Sequence, residues 1–146
     1  MPVFQGKAAN ESAQLLGKVP IFASASEREL KHLARDGAER TYKEGAAVVS
    51  QGEKGIGLYL VLDGKVEVRR KGRRLATLGP GQFFGEMSIF DDQPRSADVV
   101  AVVPTRCLVL SKWEFWGYAN HHTGLLRGML EEMARRLRAT DQALSE

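Results

Sequence analysis

Cysteine is nearly absent: Cys107 is the one thiol among 146 residues. A lone thiol forms no internal disulfide and builds no cysteine metal cluster, which excludes a disulfide-stapled scaffold and a cysteine-held zinc or iron–sulfur centre. Its place in the strand-like run around Arg106 and Leu108 predicts a buried, inert side chain. Long apolar runs are also missing, none approaching the roughly 20 residues a spanning helix needs. The opening "MPVFQGKAANESAQLLGKV" has neither the basic start nor the apolar centre of a secretory signal, so a cytoplasmic location with no membrane attachment is expected. Histidine is scarce, and the adjacent His121 and His122 stand at a helix start, where caps or solvated side chains are commoner than ligands. No metal is expected. Ser88, Asp91, His121 and His122 are residue types that catalysis uses, but no spacing gathers them, and no enzyme is expected.

What the chain does have is 43% apolar and 27% charged residues, enough for one soluble domain with a real core. The net charge of +3 concentrates in "RRKGRR" (69–74) and "ARRLRAT" (134–140). Such clusters can hold nucleic acid. The first also reads as a solvated hairpin tip, since Lys71-Gly72 lies between the alternating "KVEVRR" and "RRLATL", and the second as the polar face of a helix. Those two readings are the ones adopted.

The segment "SASERELKHLARDG" predicts a helix over about 26–35, with capping-box spacing at Ser24/Glu27 and Ser26/Glu29 and an end at Gly37. Residues 1–18 read as a lead-in, with Leu16, Val19, Ile21 and Phe22 packed. From Arg40 to Leu110, seven or eight short strands alternate with turn signals such as Asp63-Gly64 and Gly79-Pro80-Gly81. The expected fold is mainly β with flanking α: an antiparallel β-roll, or jelly-roll-like barrel, with an N-terminal helix and two C-terminal helices.

Ser111 and Glu114 cap the first C-terminal helix, "KWEFWGYA", whose Trp113, Phe115, Trp116 and Tyr118 read as packing residues rather than a base-stacking surface. The second helix covers about 122–145. Leu126, Leu130, Met133, Leu137, Thr140 and Leu144 fall at alternating spacings of four and three, a coiled-coil seam that implies a homodimer through the last turns. Packing of the same stripe on the chain's own barrel is the alternative, strongest near Leu125, Leu126 and Met129.

The stretch "GQFFGEMSIFDDQPRSADVV" (81–100) lies between two strands. Gly85 to Phe90 can form one helical turn whose leading N–H groups attract an anion, with Met87, Ile89 and Phe90 anchoring it to the barrel. Arg95 brings a planar, permanently charged donor fork and Ser96 a hydroxyl. Glu86 would repel a phosphate but can accept from a neutral hydroxyl of the same ligand. A sugar phosphate meets both demands. Arg95 could instead form a structural ion pair with Asp91, Asp92 or Glu86.

"FGEMSIFDDQPRSADV" resembles the phosphate-binding cassette of cyclic nucleotide-binding domains, matching at Gly85, Glu86, Pro94, Arg95, Ala97 and Val99. "QGEKGIGLYLVLDGKVEV" looks like that family's first strands, and "MARRLRAT" is similar to the dimer helix of bacterial catabolite activator proteins, so the likeness covers about residues 19–145. It implies a cyclic nucleotide-binding domain over 19–146, with cAMP the favoured ligand and cGMP the other. Arg95 would pair with the cyclic phosphate, Glu86 with the ribose 2′-hydroxyl and Ser96 with a phosphate oxygen, and Gly85, Met87, Ser88, Pro94 and Ala97 would complete the cassette. Leu75 and Leu78 would wall the base, and Thr140 would meet the purine. Asp141 stands where those activators carry a second hydroxyl, and no DNA-reading helix follows the long helix, so DNA binding is not expected. The implied role is a sensor that signals an unidentified effector protein through its C-terminal helices. The alternative is an interaction module of the same fold that binds no cyclic nucleotide.

Overall fold

The computed structural model describes residues 3–91 and 93–145. Eight strands among them form two antiparallel four-stranded sheets. One holds β1 (Ala38–Tyr42), β8 (Thr105–Ser111), β3 (Gly57–Asp63) and β6 (Phe83–Phe84), in that spatial order. The other holds β2 (Ala47–Val49), β7 (Asp98–Ala101), β4 (Val66–Arg70) and β5 (Arg73–Leu78).

The run "GLYLVL" does not alternate in polarity because β3 is buried on both faces. Leu58, Leu60 and Leu62 of β3, with Leu108 and Leu110 of β8, face a core shared with the helices. The intervening Tyr59, Val61, Cys107 and Val109 face the space between the sheets and pack with Val49, Val66 and Val99. Strand alternation thus feeds two cores from one pair of strands. Cys107 lies in the inner core, where burial pushes its thiol pKa up to about 11, and the inert reading holds.

The "RRKGRR" segment is a hairpin: Lys71 (φ 53°) and Gly72 (φ 76°) both take left-handed backbone, the signature of a two-residue turn matched to strand twist. Helix α2 (Glu27–Asp36) opens on the Ser26/Glu29 capping box, with both reciprocal bonds made at 2.9 and 3.1 Å. Gly37 ends it, but in extended backbone; a Cβ there would lie 2.8 Å from Leu108 Cδ1, so a side chain would force that leucine to shift.

The N-terminus corrects one expectation. Residues 3–16, taken as part of a lead-in, form helix α1 (Val3–Leu16), which packs on α2 and buries Ala13 and Leu16. Two helices therefore precede the roll. Val19, Ile21 and Phe22 are buried as expected.

Helix α3 (Lys112–Ala119) starts where Ser111 Oγ accepts from the Glu114 N–H at 3.2 Å. Phe115 is fully buried and Tyr118 nearly so, whereas Trp113 is 67% exposed and does not join the packing. Helix α4 spans Thr123–Ser145. Its stripe divides: Leu125 and Met129 are buried, Leu126 and Met133 pack against that same core, and Leu130 and Leu137 are each 71% exposed. Thr140 donates to Arg136 O in its own helix, and the side chain of Leu144 lies outside the described residues. No helix is long and apolar enough to cross a membrane, and no group of three metal-ligating side chains occurs among the described residues.

Candidate functional site

At one end of the roll, Phe84 leads into Gly85, which takes left-handed backbone (φ 82°) and turns the chain into a single 3-10 turn, Glu86–Ile89. Ile89 is buried and pins the turn, and its carbonyl accepts from Trp116 Nε1 of α3 at 2.7 Å. Met87 and Phe90, expected as further anchors, are instead 48% and 38% exposed; Phe90 keeps edge contacts with Phe115 and Trp116. In a four-residue turn one buried face accommodates one large side chain.

The returning segment 94–98 is laced to the loop between β2 and β3. Arg95 N–H donates to Glu53 O at 2.7 Å, Gly52 N–H to Arg95 O at 2.9 Å, and Gln51 N–H to Asp98 Oδ1 at 2.6 Å. Between turn and segment lies a cavity of about 360 Å³. Its lining includes Gly85, Glu86, Met87, Ser88, Pro94, Arg95, Ser96 and Ala97, together with Val49, Val68, Phe84, Asp91, Gln93 and Val99.

Arg95 is the cavity's central charge. Its Nη1 donates to Ser88 Oγ and its Nη2 to Gly57 O, both at 3.0 Å, and its guanidinium carbon stands 5.5 Å from the Tyr59 ring centroid. Among the described residues it has no ion pair, so the structural pairing with Asp91 or Glu86 does not form; Asp92 lies outside the described residues. Burial lowers its pKa, and Tyr59 and Glu53 pull it back up. The cation rests on two neutral oxygens and a ring face.

Glu86 has a partner that the sequence did not disclose: Arg136 of α4, Nη1 to Oε1 at 3.0 Å. Both side chains are largely covered, and Arg136 also meets Glu132 at 3.7 Å. The pair joins the cassette turn to the last helix across 50 positions of sequence.

Three expected site residues stand elsewhere. Leu75 is 49% exposed on edge strand β5 and does not line the cavity. Leu78 packs against the inner core and is not part of the cavity lining. Thr140 is exposed on α4, its hydroxyl already bonded to its own backbone. An edge strand with no neighbour on one side leaves Leu75 to solvent, and the part of α4 beyond its packed portion does the same for Thr140. Gly57 and Tyr59, which hold Arg95, were invisible beforehand because their value lies in a contact made from another strand.

A family model described as the cyclic nucleotide-binding domain matches residues 39–122. The chain is 35% identical over 130 residues to the Cyclic AMP receptor protein of Thermus thermophilus, covering 86% of this chain and 60% of that protein. It is 36% identical over 99 residues to the cAMP-dependent protein kinase regulatory subunit of Yarrowia lipolytica, covering 66% of this chain and 26% of that one. The chain thus spans less than two thirds of either relative. Among solved structures, the N-terminal domain of a transcriptional regulator from Streptomyces coelicolor A3(2) superimposes with a TM-score of 0.84 at 32% identity, covering 89% of this chain and 94% of that one. With its roll and its cassette turn, and by the match of the family model, the chain belongs to the cyclic nucleotide-binding domain family.

Proposed function

We propose that this chain is a regulatory sensor that binds a cyclic nucleotide, cAMP in preference to cGMP, and reports occupancy through its C-terminal helices. The observation that carries the reading is Arg95, a charged fork at a cavity wall that makes no ion pair among the described residues. Two relatives named for cAMP support the choice of ligand. The cyclic phosphate sits on Arg95, with Ser96 and the leading N–H groups of the turn as further donors. Glu86 accepts the ribose 2′-hydroxyl, and Gly85, Met87, Ser88, Pro94 and Ala97 shape the cradle.

Two contacts make the cavity legible to the helices. Trp116 holds the Ile89 carbonyl, and Arg136 holds Glu86. A ligand hydroxyl arriving at Glu86 competes with Arg136, so nucleotide and α4 draw on one carboxylate. Binding then shifts a pre-existing equilibrium of helix positions by its differential affinity for the two states. Thr140 reaches the base only after α4 re-docks and its hydroxyl leaves the Arg136 carbonyl. The output is an altered helix seam or a surface offered to an effector protein.

The exposed pair Leu130 and Leu137, one heptad apart, supports a homodimer along α4. Leu137→Glu places a charge in that seam and is expected to shift the sedimentation profile toward monomer while leaving the thermal midpoint nearly unchanged. An unaltered profile contradicts the seam. Calorimetric titration of nucleotide-free protein tests the ligand: saturable binding at micromolar or lower concentration is expected, and no heat from folded protein with either nucleotide overturns the assignment.

A further inference from the structure

Arg95 has to stay in place before any phosphate arrives, and a carboxylate partner would do this at the expense of its charge. The structure uses another device. Tyr59 lies on β3 with its side chain toward the inner core, 4% exposed, and its ring supports the guanidinium at 5.5 Å. A ring attracts the guanidinium through its π face without accepting a conventional hydrogen bond from a lone pair and without carrying a charge, so it leaves the net charge intact. Two in-plane donors are used by Ser88 Oγ and Gly57 O, both neutral.

The ring is itself held. Phe84 stacks on Tyr59 with centroids 5.0 Å apart and planes at 9°, and the two residues are cross-strand partners of β3 and β6. Phe84 lines the cavity and immediately precedes Gly85. Space for the fork is kept by a second glycine: a Cβ on buried Gly55 would collide with Ser88 Oγ and lie 3.4 Å from Arg95 Cζ. We propose that Tyr59 is the positioning residue of the phosphate site, a ring platform braced by Phe84 that holds Arg95 aimed and charged at the cavity wall. This rests on the cyclic nucleotide reading above.

The full chain, stripped of nucleotide, is titrated with cAMP as wild type, Tyr59→Leu and Tyr59→Phe. Tyr59→Leu is expected to weaken binding about tenfold, the scale of a desolvated cation–ring contact, and Tyr59→Phe, which keeps the ring, to bind as wild type. Wild type that binds with Tyr59→Leu equal to it overturns the platform alone, as does a Tyr59→Phe loss equal to that of Tyr59→Leu. Wild type that fails to bind overturns the nucleotide reading and the platform with it. Because Tyr59 is buried and the leucine variant can fail to fold, a second readout uses wild type. The Arg95 Nε–H resonance, assigned by its disappearance in Arg95→Lys, is expected upfield of the other arginines from the ring current. A resonance at the ordinary arginine position overturns the platform.

Discussion

Arg95→Ala is expected to abolish measurable nucleotide binding, an affinity loss on the order of 100-fold or more, with the fold retained. Truncating one member of a buried, hydrogen-bonded charge pair costs about 2–5 kcal/mol, and each 1.4 kcal/mol is a factor of about ten. The fold survives because Arg95's side-chain hydrogen bonds go to Ser88 Oγ and the Gly57 carbonyl, neutral groups beside an open cavity where water can take its place. The backbone bonds of Arg95 to Glu53 and Gly52 remain in the alanine variant. Titration beside a thermal melt checks both halves: unchanged affinity removes Arg95 from the ligand, and loss of the melt makes its role structural.

Gly85→Ala is expected to weaken binding by about the same order and to lower stability as well. Left-handed backbone costs a residue with a Cβ about 1–2 kcal/mol, and Gly85 sits at φ 82°. The added Cβ would also collide with Arg95 Nη1 and lie 2.8 Å from the Gly57 carbonyl, displacing the fork from the acceptors that aim it. Gly117→Ala in α3, where a Cβ meets nothing within 4 Å, is the matched control and should bind normally with equal or slightly higher stability. Equal affinity in Gly85→Ala and Gly117→Ala would show that the turn tolerates a side chain and that Arg95 needs no such clearance.

Local signals were legible wherever the chain states its own geometry. Ser26 and Glu29 announced α2, Lys71-Gly72 announced the hairpin, and the glycine-bounded strands announced the roll. The cassette turn was readable for the same reason, since Gly85 to Ser88 and Pro94 to Ala97 stand close together in sequence and line one cavity. Helix α1 was not, because its apolar residues mark no clear face; among its described side chains Ala13 and Leu16 are buried and Leu15 packs against the same core. The long-range supports of the site were equally hidden: Tyr59 and Gly57 reach Arg95 from β3, and Arg136 reaches Glu86 from α4. Such pairings are created by topology, and no spacing rule within one segment encodes them. Leu75 shows the converse: the family resemblance implied a wall residue, and the structure places it half exposed on an edge strand, away from the cavity lining.

The central claim is that Arg95, lining this cavity, takes a cyclic phosphate, and calorimetric titration of nucleotide-free wild type with cAMP, cGMP and linear 5′-AMP tests it most directly. The account expects saturable binding of cAMP at micromolar concentration or tighter, weaker binding of cGMP, and little heat from the linear nucleotide. Folded protein that gives no heat with either cyclic nucleotide, or that binds 5′-AMP as well as cAMP, would contradict it.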